Sequence, residues 1–117
     1  MAKSTTVVVE REMIDSPAFQ SLSGMAVKIL LIFLAKRQIK KVAHPSRDRW
    51  DIQNNGNITF SYLEARDRGI NSKVFRSRLL ELEAHGFLKK HQRSGGYSRE
   101  MATYFLTSDW RKWRSGK

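Results

Sequence analysis

Apolar positions recur with helical spacing at two places in the chain. In the first half, Ala26, Ile29, Leu30, Phe33 and Leu34 fall at i, i+3, i+4, i+7 and i+8, which predicts a helix over about 24–37. Val27, Leu31 and Ile32 carry the apolar surface nearly around the axis. Such a helix has to be covered on several sides, either as the central helix of the core or as part of a dimer interface; the core is the simpler solution. Ser23 stands where the N-cap is needed, and Ser16-Pro17 supplies a cap and a first-turn proline for a short helix, Pro17–Leu22. Ahead of them, Thr5 to Val9 is rich in β-branched residues and predicts a short strand.

The second periodic stretch is punctuated more tightly. Ser61 caps a helix to about Arg68, with Glu64 placed to complete a capping box. Gly69 ends it in the left-handed conformation, Ile70 turns inward, and Asn71 or Ser72 caps the next helix, which runs to His85. On that helix Phe75, Leu79 and Leu82 form the buried stripe. Ser72, at its start, precedes an opposite face of Lys73, Arg76, Ser77 and Leu80, which has two cations and no carboxylate. The acids Glu81 and Glu83 fall near the C-terminal end and off the centre of that face. Gly86 stops the helix. Phe87–Arg93 and Met101–Leu106 then alternate as two strands around a tip containing Gly95-Gly96, a natural hairpin turn.

Between the two periodic stretches, residues 38–57 hold no sustained period. They read as an exposed basic loop with Lys40, Lys41, Arg47 and Arg49, a hairpin closing at Asn55-Gly56, and Trp50 as its anchor. Asn57–Phe60 reads as a short strand. Near the C-terminus, Trp110 and Trp113 are spaced to dock one helical turn on the core, leaving Arg111, Lys112 and Arg114 outward.

Charge changes the picture. The chain has 117 residues and a formal net charge of +11, with 22 Lys and Arg against 11 Asp and Glu. Residues 1–35 are balanced: Lys3, Arg11 and Lys28 face Glu10, Glu12 and Asp15. All the excess therefore lies after residue 35, and so local an imbalance attracts a polyanion to one region of the surface. Without cysteine there is no disulfide and no thiolate metal site. The longest apolar run is broken by Lys28, too short to span a bilayer, and the N-terminus has no apolar signal segment, so a cytoplasmic protein with no membrane partner is expected.

Catalytic constellations are not legible. His44, His85 and His91 have no ligand spacing to a carboxylate, no Ser-His-Asp or paired-carboxylate arrangement can be read, and Gly95-Gly96 lacks the lysine of a phosphate loop. The expectation is a protein that is no enzyme, with no metal, no cofactor and no small-molecule ligand.

The order helix, strand, helix, turn, helix, hairpin is more specific than any of its parts. It predicts a mainly α fold with a small β-hairpin, a winged helix-turn-helix preceded by an N-terminal strand and a short helix. One domain spans 1–117: an arm and short helix at 1–22, the core at 23–106 and a basic tail at 107–117. Leu82-Glu83-Ala84-His85-Gly86-Phe87-Leu88 resembles the L-E-x-x-G-hydrophobic junction of the winged-helix superfamily. More narrowly, Asp15-Ser16-Pro17-Ala18-Phe19, Leu22-Ser23-Gly24-Met25-Ala26, Asn54-Asn55-Gly56-Asn57-Ile58, Arg78-Leu79-Leu80-Glu81-Leu82 and the Tyr104 strand resemble small winged-helix proteins of bacteriophages and integrated elements, over residues 13–107. The resemblance implies DNA binding and no defined pathway.

On these grounds the expected partner is double-stranded DNA, bound sequence-specifically or architecturally, in transcriptional regulation or as a replication or recombination accessory of a mobile element. Ser72, Lys73, Arg76, Ser77 and Leu80 are the candidates for the major groove. Lys89, Lys90, Arg93, Tyr97 and Arg99, on the hairpin, are candidates for backbone or minor groove. Lys40, Lys41, Arg47, Arg49, Arg111, Lys112 and Arg114 are auxiliary phosphate contacts. Two alternatives stay open: a protein-interaction or homodimerisation module using the apolar breadth of 25–34, and an RNA-binding protein, for which Tyr97 is the one stacking candidate.

Overall fold

The computed structural model describes residues 7–37, 39–42, 49–52, 58–93 and 102–114, with backbone alone at 39–42, 49–52, 91–93 and 102. Among these residues are α1 (Arg11–Ile14), α2 (Pro17–Gln20), α3 (Gly24–Lys36), β1 (Ile39–Val42), β2 (Arg49–Ile52), α4 (Tyr62–Asp67), α5 (Ser72–Ala84), β3 (Leu88–Arg93), β4 (Ala102–Leu106) and a 3₁₀ turn (Asp109–Arg111). Five helices and two antiparallel strand pairs thus make a mixed fold. None of the described helices is long and apolar enough to cross a membrane.

Ahead of the core the sequence reading needs two corrections. Val7, Val8 and Val9 form no strand, and Thr5 and Thr6 lie outside the described residues. β-branched residues build a strand only against a partner edge; here the carbonyl of Val8 instead accepts from Arg37 Nη2 at 2.7 Å. The single turn α1 was not predicted. It closes on the carbonyl of Glu10, which accepts from Met13 N at 3.1 Å and Ile14 N at 3.2 Å, and it buries Met13. The hydroxyl of Ser16 then serves both short helices, donating to Met13 O at 2.7 Å and accepting from Phe19 N at 3.1 Å.

Helix α3 is the centre of the core. Ala26, Ile29, Leu30, Phe33 and Leu34 are all buried, as their spacing requires. Phe33 meets Phe60 and Tyr104 edge-on, each at 5.3 Å between ring centres. At the far end of α3, Lys36 Nζ lies 2.7 Å from Glu64 and 5.1 Å from the centre of the Phe60 ring, tying α3 to α4. Glu64 is thereby drawn away from the return bond of a capping box. Ser61 still caps α4, its hydroxyl accepting from Glu64 N at 3.0 Å.

The basic segment after α3 is more regular than its sequence suggests. Strands β1 and β2 pair antiparallel with Ile39 opposite Ile52 and Val42 opposite Arg49. The two strands lie on either side of 43–48, and the hairpin turn expected at Asn55-Gly56 falls outside the described residues. Ile39, Val42, Trp50 and Ile52 are favourable strand residues, and four-residue strands are too short for their alternation to stand out. Arg47, Asn55 and Gly56 lie outside the described residues, as does the side chain of Trp50. The expected strand at 57–60 reduces to one bridge: Ile58 N donates to Tyr104 O at 3.4 Å and Tyr104 N to Ile58 O at 2.9 Å. Beyond it the backbone must turn into the cap at Ser61, so the pairing ends.

Helices α4 and α5 join through the turn 68–71. Gly69 has φ +82°, which a glycine adopts without strain, and Ile70 is fully buried beneath it. Asn71 caps α5, its side-chain oxygen accepting from Lys73 N at 2.8 Å and Val74 N at 3.4 Å. Phe75, Leu79 and Leu82 bury one stripe, with Phe75 against Phe60 at 4.8 Å. Gly86 ends the helix at φ +87°. Strands β3 and β4 follow, paired from Leu88–Leu106 to Arg93–Ala102, with a bulge at His91 where the register skips from Lys90–Tyr104 to Gln92–Thr103. Trp110 is buried and stacks on Phe87 at 6.1 Å, while Trp113 stacks on the His85 ring at 4.4 Å. The C-terminal turn is docked as the tryptophan spacing predicts.

Candidate functional site

The outward face of α5 is the surface on which the predicted residues converge. Ser72, Lys73, Arg76, Ser77 and Leu80 are all exposed, Leu80 at 56 %. No acceptor pairs with Lys73 or Arg76 among the described residues, and both cations are exposed. Val74, at 37 % exposed, widens the face beyond the predicted set.

One of the two acids of α5 is held off this face. Glu81 turns towards the start of α3, where Oε2 accepts from Ser23 N at 2.8 Å and Oε1 accepts from Ser23 Oγ at 2.8 Å. Arg78 Nη1 donates to the same Oε1 at 2.6 Å and to Ser23 Oγ at 3.1 Å. Partial burial alone would raise the Glu81 pKa. The bonds from Ser23 and Arg78 outweigh it and hold the carboxyl below its usual range. Arg78 is thus neutralised in place, half-buried, while Arg76 two residues earlier is exposed and has no partner among the described residues.

Sequence reading missed this cluster, although one signal was available. A capping box needs Glu or Gln three residues after the cap, and α3 has Ala26 there. The hydroxyl of Ser23 caps α3 from the usual side, accepting from Ala26 N at 3.3 Å. The carboxylate that should bind the N–H of Ser23 comes from α5 instead. The vacancy was legible; its occupant was not.

On β3, Lys89 and Lys90 are exposed. The backbone of Arg93 belongs to β3, those of Lys40 and Lys41 to β1 and that of Arg49 to β2. Tyr97 and Arg99 lie outside the described residues. The tail divides. Lys112 and Arg114 are exposed, but Arg111 does not stand free as an auxiliary cation: it is ion-paired to Glu12, lies 3.6 Å from Glu10, and stacks at 4.5 Å on Trp110. Two acids from the N-terminal arm neutralise it.

A shallow groove of about 460 Å³ runs along α3, lined by Gly24, Val27, Lys28, Leu31, Ile32, Ala35 and Arg68. None of the outward residues of α5 borders it. Comparison with protein-family models, with curated proteins and with solved structures gives no match to this chain.

Proposed function

We propose that the chain is a winged-helix protein that binds duplex DNA, with α5 as the helix that enters the major groove and β3–β4 as the wing. The observation that carries this reading is the outward face of α5, where Lys73 and Arg76, without partners among the described residues, stand exposed beside Ser72, Ser77 and Leu80 while Glu81 is turned inward and neutralised by Arg78. A solvated helix face normally mixes both signs; a face with cations and no acid at its centre suits a polyanion. Arg76 can bond guanine O6 and N7, and Leu80 can meet a thymine methyl. Lys89 and Lys90 supply phosphate contacts from the wing. This activity needs no catalytic residue, and its setting is gene regulation or the replication or recombination of a mobile element.

Salt dependence is the direct test. About six phosphate contacts give a log–log slope of affinity against salt near −5, so binding to a random duplex falls roughly a thousandfold between about 50 and 200 mM salt. A flat dependence over that range removes nucleic acid as the partner. The wing is tested separately: Lys89→Ala and Lys90→Ala each weaken binding to every duplex alike and make the slope shallower by about 0.9. Loss of base preference in either variant, with random binding spared, would assign the wing to readout instead.

A second reading, contact with a protein or a second copy of the chain, is favoured by the α3 groove, where the apolar Leu31 is 40 % exposed. Because no outward residue of α5 borders the groove, occupancy there leaves the proposed DNA face free.

A further inference from the structure

We infer that Arg78, held by Glu81 and Ser23, fixes the hydroxyl of Ser77 as a hydrogen-bond donor to a DNA phosphate oxygen. This inference rests on the DNA-binding reading and adds to it a positioning chain that starts at the beginning of α3 and ends on the outward face of α5.

The positioning contacts run without a gap from Ser23 to Ser77. Ser23 Oγ has its capacity filled: it donates to Glu81 at 2.8 Å and accepts from Arg78 at 3.1 Å and Ala26 N at 3.3 Å. Glu81 in turn holds Arg78 Nη1 at 2.6 Å. With Nη1 anchored, the planar guanidinium is fixed, and its second arm, Nη2, reaches Ser77 Oγ at 3.0 Å.

The polarity of that last contact is not free to vary. A guanidinium has donors only, so Ser77 Oγ must accept from it. The serine proton is then left for another partner, and it has no acceptor among the described residues. Ser77 is exposed, one turn beyond Lys73, so the proton is available to an external acceptor. A phosphate oxygen, which only accepts, fits this one-way presentation, whereas base edges in the major groove offer donors and acceptors alike. Arg78 itself, already neutralised by Glu81, contributes orientation and no phosphate charge.

Salt titration on a random duplex separates these roles. Ser77→Ala is expected to weaken binding about ten- to a hundredfold, the scale of one hydrogen bond to a charged acceptor, with the slope unchanged because no cation is lost. Lys73→Ala is the contrast and makes the slope shallower by about 0.9. Arg78→Ala should match the loss of Ser77→Ala, leave the slope unchanged, and add little in the double variant; Ser77→Thr should restore wild-type binding. Arg78→Lys covers the case in which Arg78→Ala does not fold: one ammonium keeps the charge but cannot reproduce the two-armed contact, so it too should couple to Ser77.

Additive losses in the double variant would reduce Arg78 to a structural role and overturn the inference. So would a slope made shallower by Arg78→Ala, which makes Arg78 a phosphate ligand, or a change of base preference in Ser77→Ala with random binding spared. Failure of the wild-type chain to bind any duplex is a different result: it ends the DNA reading, and this inference with it.

Discussion

Replacing Gly86 by alanine is expected to destabilise the protein by more than about 3 kcal/mol, lowering the melting temperature by roughly 10 °C or more. Two costs add at this residue. Its φ of +87° is left-handed, where a Cβ costs about 1–2 kcal/mol. The Cβ would also lie 2.5 Å from Trp110 N and 2.6 Å from the carbonyl carbon of Asp109, both backbone atoms that no rotamer change can move aside. The same glycine anchors the C-terminal turn, its carbonyl accepting from Trp110 N at 3.1 Å and from Thr107 Oγ1 at 2.5 Å. Gly69 is a matched control. Its φ is +82°, but nothing lies within 4 Å of the position of its Cβ, so Gly69→Ala carries the conformational cost alone, about 1–2 kcal/mol. Equal losses in the two variants, read by thermal denaturation, would show that the close approach of the C-terminal turn contributes nothing.

On the binding side the largest effect is expected at Arg76. Arg76 is exposed and unpaired among the described residues, so Arg76→Ala should leave the melting temperature nearly unchanged, within about 0.5 kcal/mol. On a selected cognate duplex it should lose about 1–3 kcal/mol and relax preference at a single base pair, the scale of one bidentate guanine contact. Arg78 provides the comparison because it is tied to Glu81 and Ser23. Arg78→Ala should lower stability and leave base preference intact. Paired melting and site-selection measurements decide between them. A folding defect in Arg76→Ala with altered preference in Arg78→Ala would mean that α5 presents a different face.

How much of this was legible in the sequence depends on how local each cause is. The faces of α5 follow from a sustained 3.6-residue period, and Gly69 and Gly86 mark its surroundings because positive φ is a property of one residue. The buried set on α3 follows for the same reason. What failed was short or distant. Val7, Val8 and Val9 favour a strand individually, but no neighbouring edge receives them. Strands β1 and β2 are too brief to show alternation above the lysines and arginines around them. Within the candidate site, the outward residues of α5 were readable from periodicity. Its support was not, since Ser23 and Glu81 stand far apart in sequence and meet only once α3 and α5 pack. The ion pairs of Arg111 were not readable for the same reason: its partners, Glu10 and Glu12, lie about a hundred residues away in sequence.

That last contact bears on how the protein is made. Glu10 and Glu12 are synthesised well before Arg111, yet they meet their partner only when it has emerged, and Phe87 receives Trp110 at nearly the same moment. Contacts of such sequence separation form late, after the loop entropy between them has been overcome. A nascent chain halted before residue 110 would leave the Phe87 ring without its stacking partner and the arm without its cation. The fold is therefore closed by Trp110 and Arg111, and a nascent chain that lacks them holds an open core.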